Sequence, residues 1–131
     1  MTAQFSISPI NTVYAQTPQI TTPPPNPPLE SNVVQLKAYV DSQAKAYGVN
    51  PEVASFIVQH ESQWNPSQVG DSGTSFGLWQ IHLPSHPNIT KGQALDYRWS
   101  TQWAMKQILA GNINMWSSVK FCHKWYLDCS L

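Results

Sequence analysis

The sequence predicts a mainly α-helical domain that contains a glycine-rich loop and follows a disordered, proline-rich segment. Three segments space their apolar residues at the helical period, and no alternating strand pattern of any length is present. A stretch rich in Gly, Ser, Pro and Asn, residues 65–92, separates the second and third segments. With 131 residues, the chain is long enough for one domain but not for two.

We interpret residues 1–30 as an N-terminal tail and residues 31–131 as the folded domain. The run TPQITTPPPNPP at residues 17–28 has no charge and no helix former, so it favours polyproline II and predicts a disordered spacer. The sequence VYA at residues 13–15 has the spacing of a signal-peptidase site. Residues 1–10 lack the cationic start and apolar run of a signal peptide, so the region is either a clipped signal region or a plain disordered tail.

The helices are predicted from their starts and stops. The first begins at a Ser31 cap and is stopped by Gly48. Its apolar residues at helical spacing are Val33, Leu36, Val40, Ala44 and Tyr47. The second opens on NPE at residues 50–52, a capping residue followed by a proline and an acid, and runs to about Gln63.

The third helix is expected over residues 97–110, after a cap at Asp96 and before Gly111. A short helix or strand is expected near residues 77–81. One more short helix is expected from residue 114 to residue 119, which leaves the domain mainly helical.

Charge restricts the partners. The 7 basic and 7 acidic residues cancel and form no basic block, so nothing indicates nucleic-acid binding. Charged residues make up 11% of the chain, which favours a polar, largely uncharged partner such as a carbohydrate. No stretch approaches the roughly twenty apolar residues of a membrane span. We expect no integral membrane segment.

The cysteines predict a disulfide. Cys122 and Cys129 would close a short loop near the C-terminus in an oxidising compartment, and their spacing matches no common zinc motif.

His82 and His86 have the spacing of metal ligands on a helix, but Pro84 between them argues against that helix. We expect no metal and no cofactor.

Glu61 is the candidate catalytic residue. On a helical wheel it falls in the apolar arc of the second helix, between Ile57 and Ala54. Burying an unpaired carboxylate costs several kcal/mol and favours its protonated form. A protonated acid in an apolar cleft suits glycosidic bond cleavage, in which the leaving oxygen must receive a proton. The alternative is an ion pair at the core edge, although no lysine or arginine lies within one turn.

Three ordered motifs carry a family resemblance. HESQWNP at residues 60–66, GDSG at 70–73 and FGLWQI at 76–81 resemble the signature of soluble lytic transglycosylases and goose-type lysozymes. The resemblance is close over residues 46–81 and weaker over residues 99–111. It implies a lysozyme-like fold, with Glu61 as the catalytic acid/base and Ser62 helping to hold the local structure.

The resemblance also implies a substrate groove. Gln80 matches a groove-lining glutamine, and Trp79 stands at the usual methionine position, where core packing is the alternative. Gly73 and Gly77 allow either close approach to sugar or simple turns. The predicted substrate-binding residues are Ser62, Asp71, Phe76, Gly77, Leu78, Trp79, Gln80 and Trp116.

The sequence departs from the family in two places. Asp71 matches an aspartate of goose-type lysozymes that many transglycosylases lack, and the alternative is a turn-capping residue. The Ala-Tyr-Asn motif, whose tyrosine lies close to the acid in transglycosylases, has no clean copy here. Trp116 is the best candidate for a groove wall, although tryptophans equally fill small cores.

The resemblance implies a secreted or cell-envelope enzyme, expected as a monomer, that acts on peptidoglycan glycan strands. As a lytic transglycosylase it would cleave the β-1,4 bond between N-acetylmuramic acid and N-acetylglucosamine and leave a 1,6-anhydro end. The alternatives are a muramidase that hydrolyses this bond with Asp71 assisting water, and a non-catalytic glycan-binding module.

Overall fold

The computed structural model describes residues 29–125 and Cys129 and is mainly helical, as predicted. Four α-helices are described: α1 (Leu29–Tyr47), α2 (Pro51–Ser62), α3 (Lys91–Leu95) and α4 (Tyr97–Leu109). Three two-residue strands are β1 (Val69–Gly70), β2 (Ser75–Phe76) and β3 (Ile81–His82). Three 3-10 segments are Leu83–Ser85, Ile113–Met115 and Ser117–Trp125. The expected disorder of the proline-rich run lies outside the described residues.

The helix starts follow from local sequence. At the start of α2, the Asn50 side chain accepts a hydrogen bond from the Glu52 backbone N–H at 2.9 Å, and Pro51 takes the first helical position. The Asp96 side chain likewise accepts from two backbone N–H groups at the start of α4. The prediction for α1 is wrong at its start, because the helix begins at Leu29 and contains Ser31 rather than being capped by it.

The loop between α2 and α4 contains structure that the sequence patterns did not predict. The strands form an antiparallel sheet in the order β1-β2-β3, with Phe76 opposite both Val69 and Ile81. Each strand has two residues, which is too short for an alternating pattern to be visible. The extra helix α3 begins with a capping box made by Thr90 and Gln93.

The core lies where α1, α2 and α4 pack against this loop. The largest fully buried hydrophobic side chains are Trp79, Ile57, Leu78, Ile81, Met105, Ile108, Val40, Val53 and Val58. Each such aliphatic side chain contributes about 1.5–3 kcal/mol through its burial. The Trp79 indole N–H donates to the Thr101 hydroxyl at 3.0 Å, so the polar atom of this buried ring is satisfied.

None of the helices in the described ranges is long and apolar enough to cross a membrane.

Candidate active site

A cleft of about 640 Å³ opens at the C-terminal end of α2. Its walls are formed by α2, the small sheet with its loops, α4 and the C-terminal 3-10 segments. The lining residues are Glu61, Gln68, Gly70, Asp71, Gln80, Ile81, His82, Ser85, His86, Trp103, Met115, Trp116 and Ser117. The lining therefore draws on the chain from the end of α2 to the start of the last 3-10 segment, and it contains no lysine or arginine.

Glu61 is half-buried in this cleft and is bound by a neutral donor. The Ser118 hydroxyl donates to Glu61 Oε1 at 2.8 Å, and Ser118 itself is 7% exposed. Among the side chains that the structure describes, the one ion pair joins Asp41 and Lys45. None of the described lysines or arginines is paired with Glu61, and Glu61 Oε2 accepts no hydrogen bond from them.

The wall opposite α2 is anchored to the core through Trp116. Its indole N–H donates to the backbone carbonyl of Trp79 at 2.9 Å, although Trp116 is only 4% exposed at the cleft. The ring of Trp103 meets it edge-on at 6.2 Å. Beyond this point, a disulfide joins Cys122 to Cys129, with the two Cα atoms 6.1 Å apart. Trp116 therefore combines both roles weighed for it, groove wall and core packing.

Gln80 is held rigidly at the floor of the cleft. Its backbone is left-handed, with φ 47°, and its Nε2 donates to the carbonyls of Gln68 at 3.1 Å and Gly77 at 2.9 Å. A Cβ added to Gly70 would lie 2.3 Å from Gln80 Oε1. The amide oxygen therefore occupies space that any larger residue at position 70 would fill.

Asp71 lies in the cleft lining and within a turn. It lines the same cleft as Glu61, as the hydrolase alternative requires. Its carboxylate also accepts a short hydrogen bond from the Ser75 hydroxyl, within a turn where Asp71 has φ 51°. The residue is exposed, and its backbone carbonyl accepts from the Thr74 hydroxyl at 2.8 Å.

Three of the eight predicted substrate-binding residues line the cleft with Glu61: Asp71, Gln80 and Trp116. The other five lie outside this lining: Ser62, Phe76, Gly77, Leu78 and Trp79. All five are buried. Leu78 and Trp79 have no exposed surface at all, since their side chains fill the core. We therefore assign these residues to the fold.

Ser62 and Gly77 show how these residues support the site. The Ser62 hydroxyl donates to the carbonyl of Val58 at 3.2 Å within α2. Gly77 has φ 83°, and a Cβ there would lie 2.1 Å from the carbonyl oxygen of Ala94. Gly77 thus lets the floor of the cleft pack directly on α3.

Sequence reasoning missed the far end of the cleft and the partner of Glu61. His82 Nδ1 lies 2.8 Å from the Ser85 hydroxyl, and the His86 ring meets Trp103 edge-on at 5.1 Å. The two histidines drew attention as possible metal ligands, but no cluster of three or more His, Cys, Asp or Glu that would hold a metal ion occurs within the described ranges. Ser118 carried no local signal.

The chain matches the model of a known protein family. Residues 38–126 match the model of the transglycosylase SLT domain, which covers more than half of the chain and includes Glu61 and the cleft. No curated protein and no solved structure matches the chain. The chain therefore belongs to the transglycosylase SLT domain family, a family of peptidoglycan-cleaving enzymes.

Proposed function

We propose that this protein is a lytic transglycosylase that cleaves the β-1,4 bond between N-acetylmuramic acid and N-acetylglucosamine, with Glu61 as its single acid/base. The observation that carries the proposal is the environment of Glu61. The side chain is half-buried in a cleft, is bound by a neutral hydroxyl and has no cationic partner among the described residues. A carboxyl group in such a place is positioned to exchange a proton with a substrate bound in the cleft.

Two proton transfers complete the reaction. Protonated Glu61 donates to the oxygen that links the two sugars, the bond from that oxygen to the muramoyl anomeric carbon breaks, and the N-acetylglucosamine part leaves as an alcohol. The Glu61 carboxylate then accepts the proton of the muramoyl C6 hydroxyl, whose oxygen bonds to the same anomeric carbon. The product is a 1,6-anhydro ring, and Glu61 is protonated again. One carboxylate is sufficient because the nucleophile belongs to the substrate.

The rest of the cleft suits a polar, uncharged polysaccharide. Gln80 presents a fixed amide oxygen, and Trp103 and Trp116 supply aromatic surface. The histidines and serines at the far end add further hydrogen-bonding groups. This lining carries no lysine or arginine that would select an anionic ligand.

A second candidate is hydrolysis of the same bond, and the position of Asp71 favours it. Asp71 lines the cleft that contains Glu61, and a carboxylate pair with water between its members is the arrangement of an inverting glycosidase. Against this candidate, the Asp71 carboxylate is engaged by Ser75 within its own turn. A binding module without activity would keep the same groove.

Mass spectrometry of peptidoglycan digested in ¹⁸O-labelled water distinguishes the three candidates. Transglycosylation gives muropeptides that are one water lighter and carry no label. Hydrolysis gives reducing ends labelled with ¹⁸O, and a binding module leaves the strands intact. Labelled reducing ends as the main product would overturn the proposal.

Two carboxylate variants and a control assign the acid. Glu61→Gln should lower turnover by about 10²–10⁴-fold, because the amide cannot donate and recover the proton. Glu52→Gln, at the exposed start of the same helix, should leave turnover unchanged. Asp71→Asn should cost less than about 3-fold, whereas a loss of about 100-fold would support the hydrolase.

The organisation of the chain and its location belong to the same proposal. We infer that the chain from α1 onward forms the catalytic domain and that the residues before α1 form a spacer. We also infer that the protein acts as a monomer outside the cytoplasm, where peptidoglycan lies. The disulfide between Cys122 and Cys129 supports this location, because such bonds persist in oxidising compartments. Detection of the native protein in an envelope or culture fraction, with no free thiol, is the expected result.

A further inference from the structure

We propose that Ser118 is a positioning residue for Glu61, and that its hydroxyl reserves Oε2 as the oxygen that carries the proton in both steps. This inference rests on the proposed function of Glu61. The Ser118 hydroxyl donates to Oε1 at 2.8 Å from a side chain that is 7% exposed, so water competes little for the contact. The described residues make no other hydrogen bond to the Glu61 carboxylate.

A hydroxyl donor is suited to both protonation states of the acid. When Glu61 is protonated on Oε2, Oε1 is the carbonyl oxygen and accepts from Ser118. When Glu61 is ionised, Oε1 still accepts from the same hydroxyl, which needs no rearrangement. The contact therefore fixes the orientation of the carboxyl group while the proton leaves and returns through Oε2.

Ser118 is in turn held in place from both sides along the chain. Trp116, two residues earlier, is tied to the core by its hydrogen bond to the Trp79 carbonyl. Val119 is buried beside it, and Cys122 is bonded to Cys129. The position of the Ser118 hydroxyl is therefore fixed by the packing of its segment. A fixed donor is needed to position a catalytic group to within about 1 Å.

The test measures kcat and KM of the full chain on peptidoglycan. Ser118→Ala should lower kcat by about 10- to 100-fold, because a misplaced acid loses much of its efficiency, and should change KM less than about 2-fold. Ser118→Thr keeps the hydroxyl and should recover kcat to within about 3-fold of the parent protein. The matched control is Ser100→Ala, because Ser100 is a fully buried serine of α4 whose hydroxyl has no partner. This control should leave kcat unchanged.

A double variant separates this inference from the proposed function. In a Glu61→Gln background, Ser118→Ala should cause no further loss, because Ser118 acts only through Glu61. If Glu61→Gln retains full activity, the proposed function fails. If Glu61→Gln is inactive while Ser118→Ala has the parent kcat, the positioning role alone is overturned. Equal losses in Ser118→Ala and Ser118→Thr would also overturn it.

A folding defect is controlled by a third variant. Should Ser118→Ala fail to fold, Ser118→Cys keeps most of the volume and replaces the hydroxyl by a weak S–H donor. A folded Ser118→Cys protein with lowered kcat supports the inference, and one with the parent kcat contradicts it.

Discussion

The helical framework, which consists of α1, α2 and α4, differs in its backbone from the floor of the cleft, which is the loop of residues 63–80. In α1, α2 and α4 the backbone is regular, and glycines with positive φ follow α1 and α4 at Gly48 and Gly111. All five described non-glycine residues with positive φ lie between the end of α2 and the start of β3: Gln63, Trp64, Asp71, Ser72 and Gln80. Such residues cost on the order of 1 kcal/mol each. The strain is therefore concentrated beside the candidate site.

This difference indicates that local sequence specifies the framework, whereas tertiary contacts specify the cleft floor. The left-handed backbone of Gln80 is stabilised by its side-chain amide, which donates to two carbonyls. The left-handed backbone of Asp71 is stabilised by the hydrogen bond from the Ser75 hydroxyl to its carboxylate. Backbone strain of this kind persists only where surrounding contacts enforce it. Changes in the framework should therefore alter stability, and changes in the floor should alter activity.

The largest expected effect is at Gly77, where floor and framework meet. Gly77→Ala should lower the free energy of unfolding by about 3 kcal/mol or more, because φ is 83° and the new Cβ meets the Ala94 carbonyl oxygen. Gly73→Ala is the matched control, since Gly73 has φ 93° but no atom within 4 Å of an added Cβ. It should cost about 1 kcal/mol. Equal losses in urea unfolding would show that the contact with α3 is unimportant.

Removing the disulfide should have the next largest effect. The double variant Cys122→Ala and Cys129→Ala should lose about 2 kcal/mol of unfolding free energy, as expected for closing a loop of this length. Urea unfolding of the oxidised parent and the double variant measures the difference. An unchanged midpoint would mean that the C-terminal wall is held by packing alone.

Gly70→Ala should separate activity from stability. The new Cβ would displace Gln80 Oε1, the end of a side chain, so the unfolding free energy should change by less than about 1 kcal/mol. The activity on peptidoglycan should fall about 10-fold, because the floor of the cleft moves. Parent-level activity in a folded Gly70→Ala protein would show that Gln80 does not contribute to turnover.

The smallest effect is expected at the start of α2, in the framework. Asn50→Ala removes the side-chain cap of Glu52 N–H and should cost about 1 kcal/mol of stability. Because the cap lies at the other end of the helix from Glu61, kcat at a temperature well below unfolding should be unchanged. A lowered kcat would connect the start of α2 to the site.

Much of the framework could be predicted because its signals are local. Asn50 and Pro51 predicted the start of α2, Asp96 predicted that of α4, and the wheel placed Glu61 on the apolar side where the cleft forms. The two-residue strands were missed because a period of two cannot be seen over two residues.

The site could be predicted only in part, because tryptophans and serines have no fixed role. Trp79 and Trp116 are both buried, yet only Trp116 reaches the cleft, and this depends on how the C-terminal segment packs. Ser118 lies 57 residues from Glu61, so no spacing rule connects them. The spacing of His82 and His86 predicts metal ligands on a helix, whereas in the structure His82 contacts the Ser85 hydroxyl and the His86 ring contacts Trp103.

The long separation between Glu61 and Ser118 has a consequence for synthesis on the ribosome. A growing chain completes α2 well before residue 118 is added, so its glutamate first exists without the hydroxyl that orients it. Under the proposed positioning role, the acid reaches its full efficiency only after the segment that carries Ser118 has folded. The same proposal predicts that a fragment ending before residue 118 would contain Glu61 without the hydroxyl that orients it.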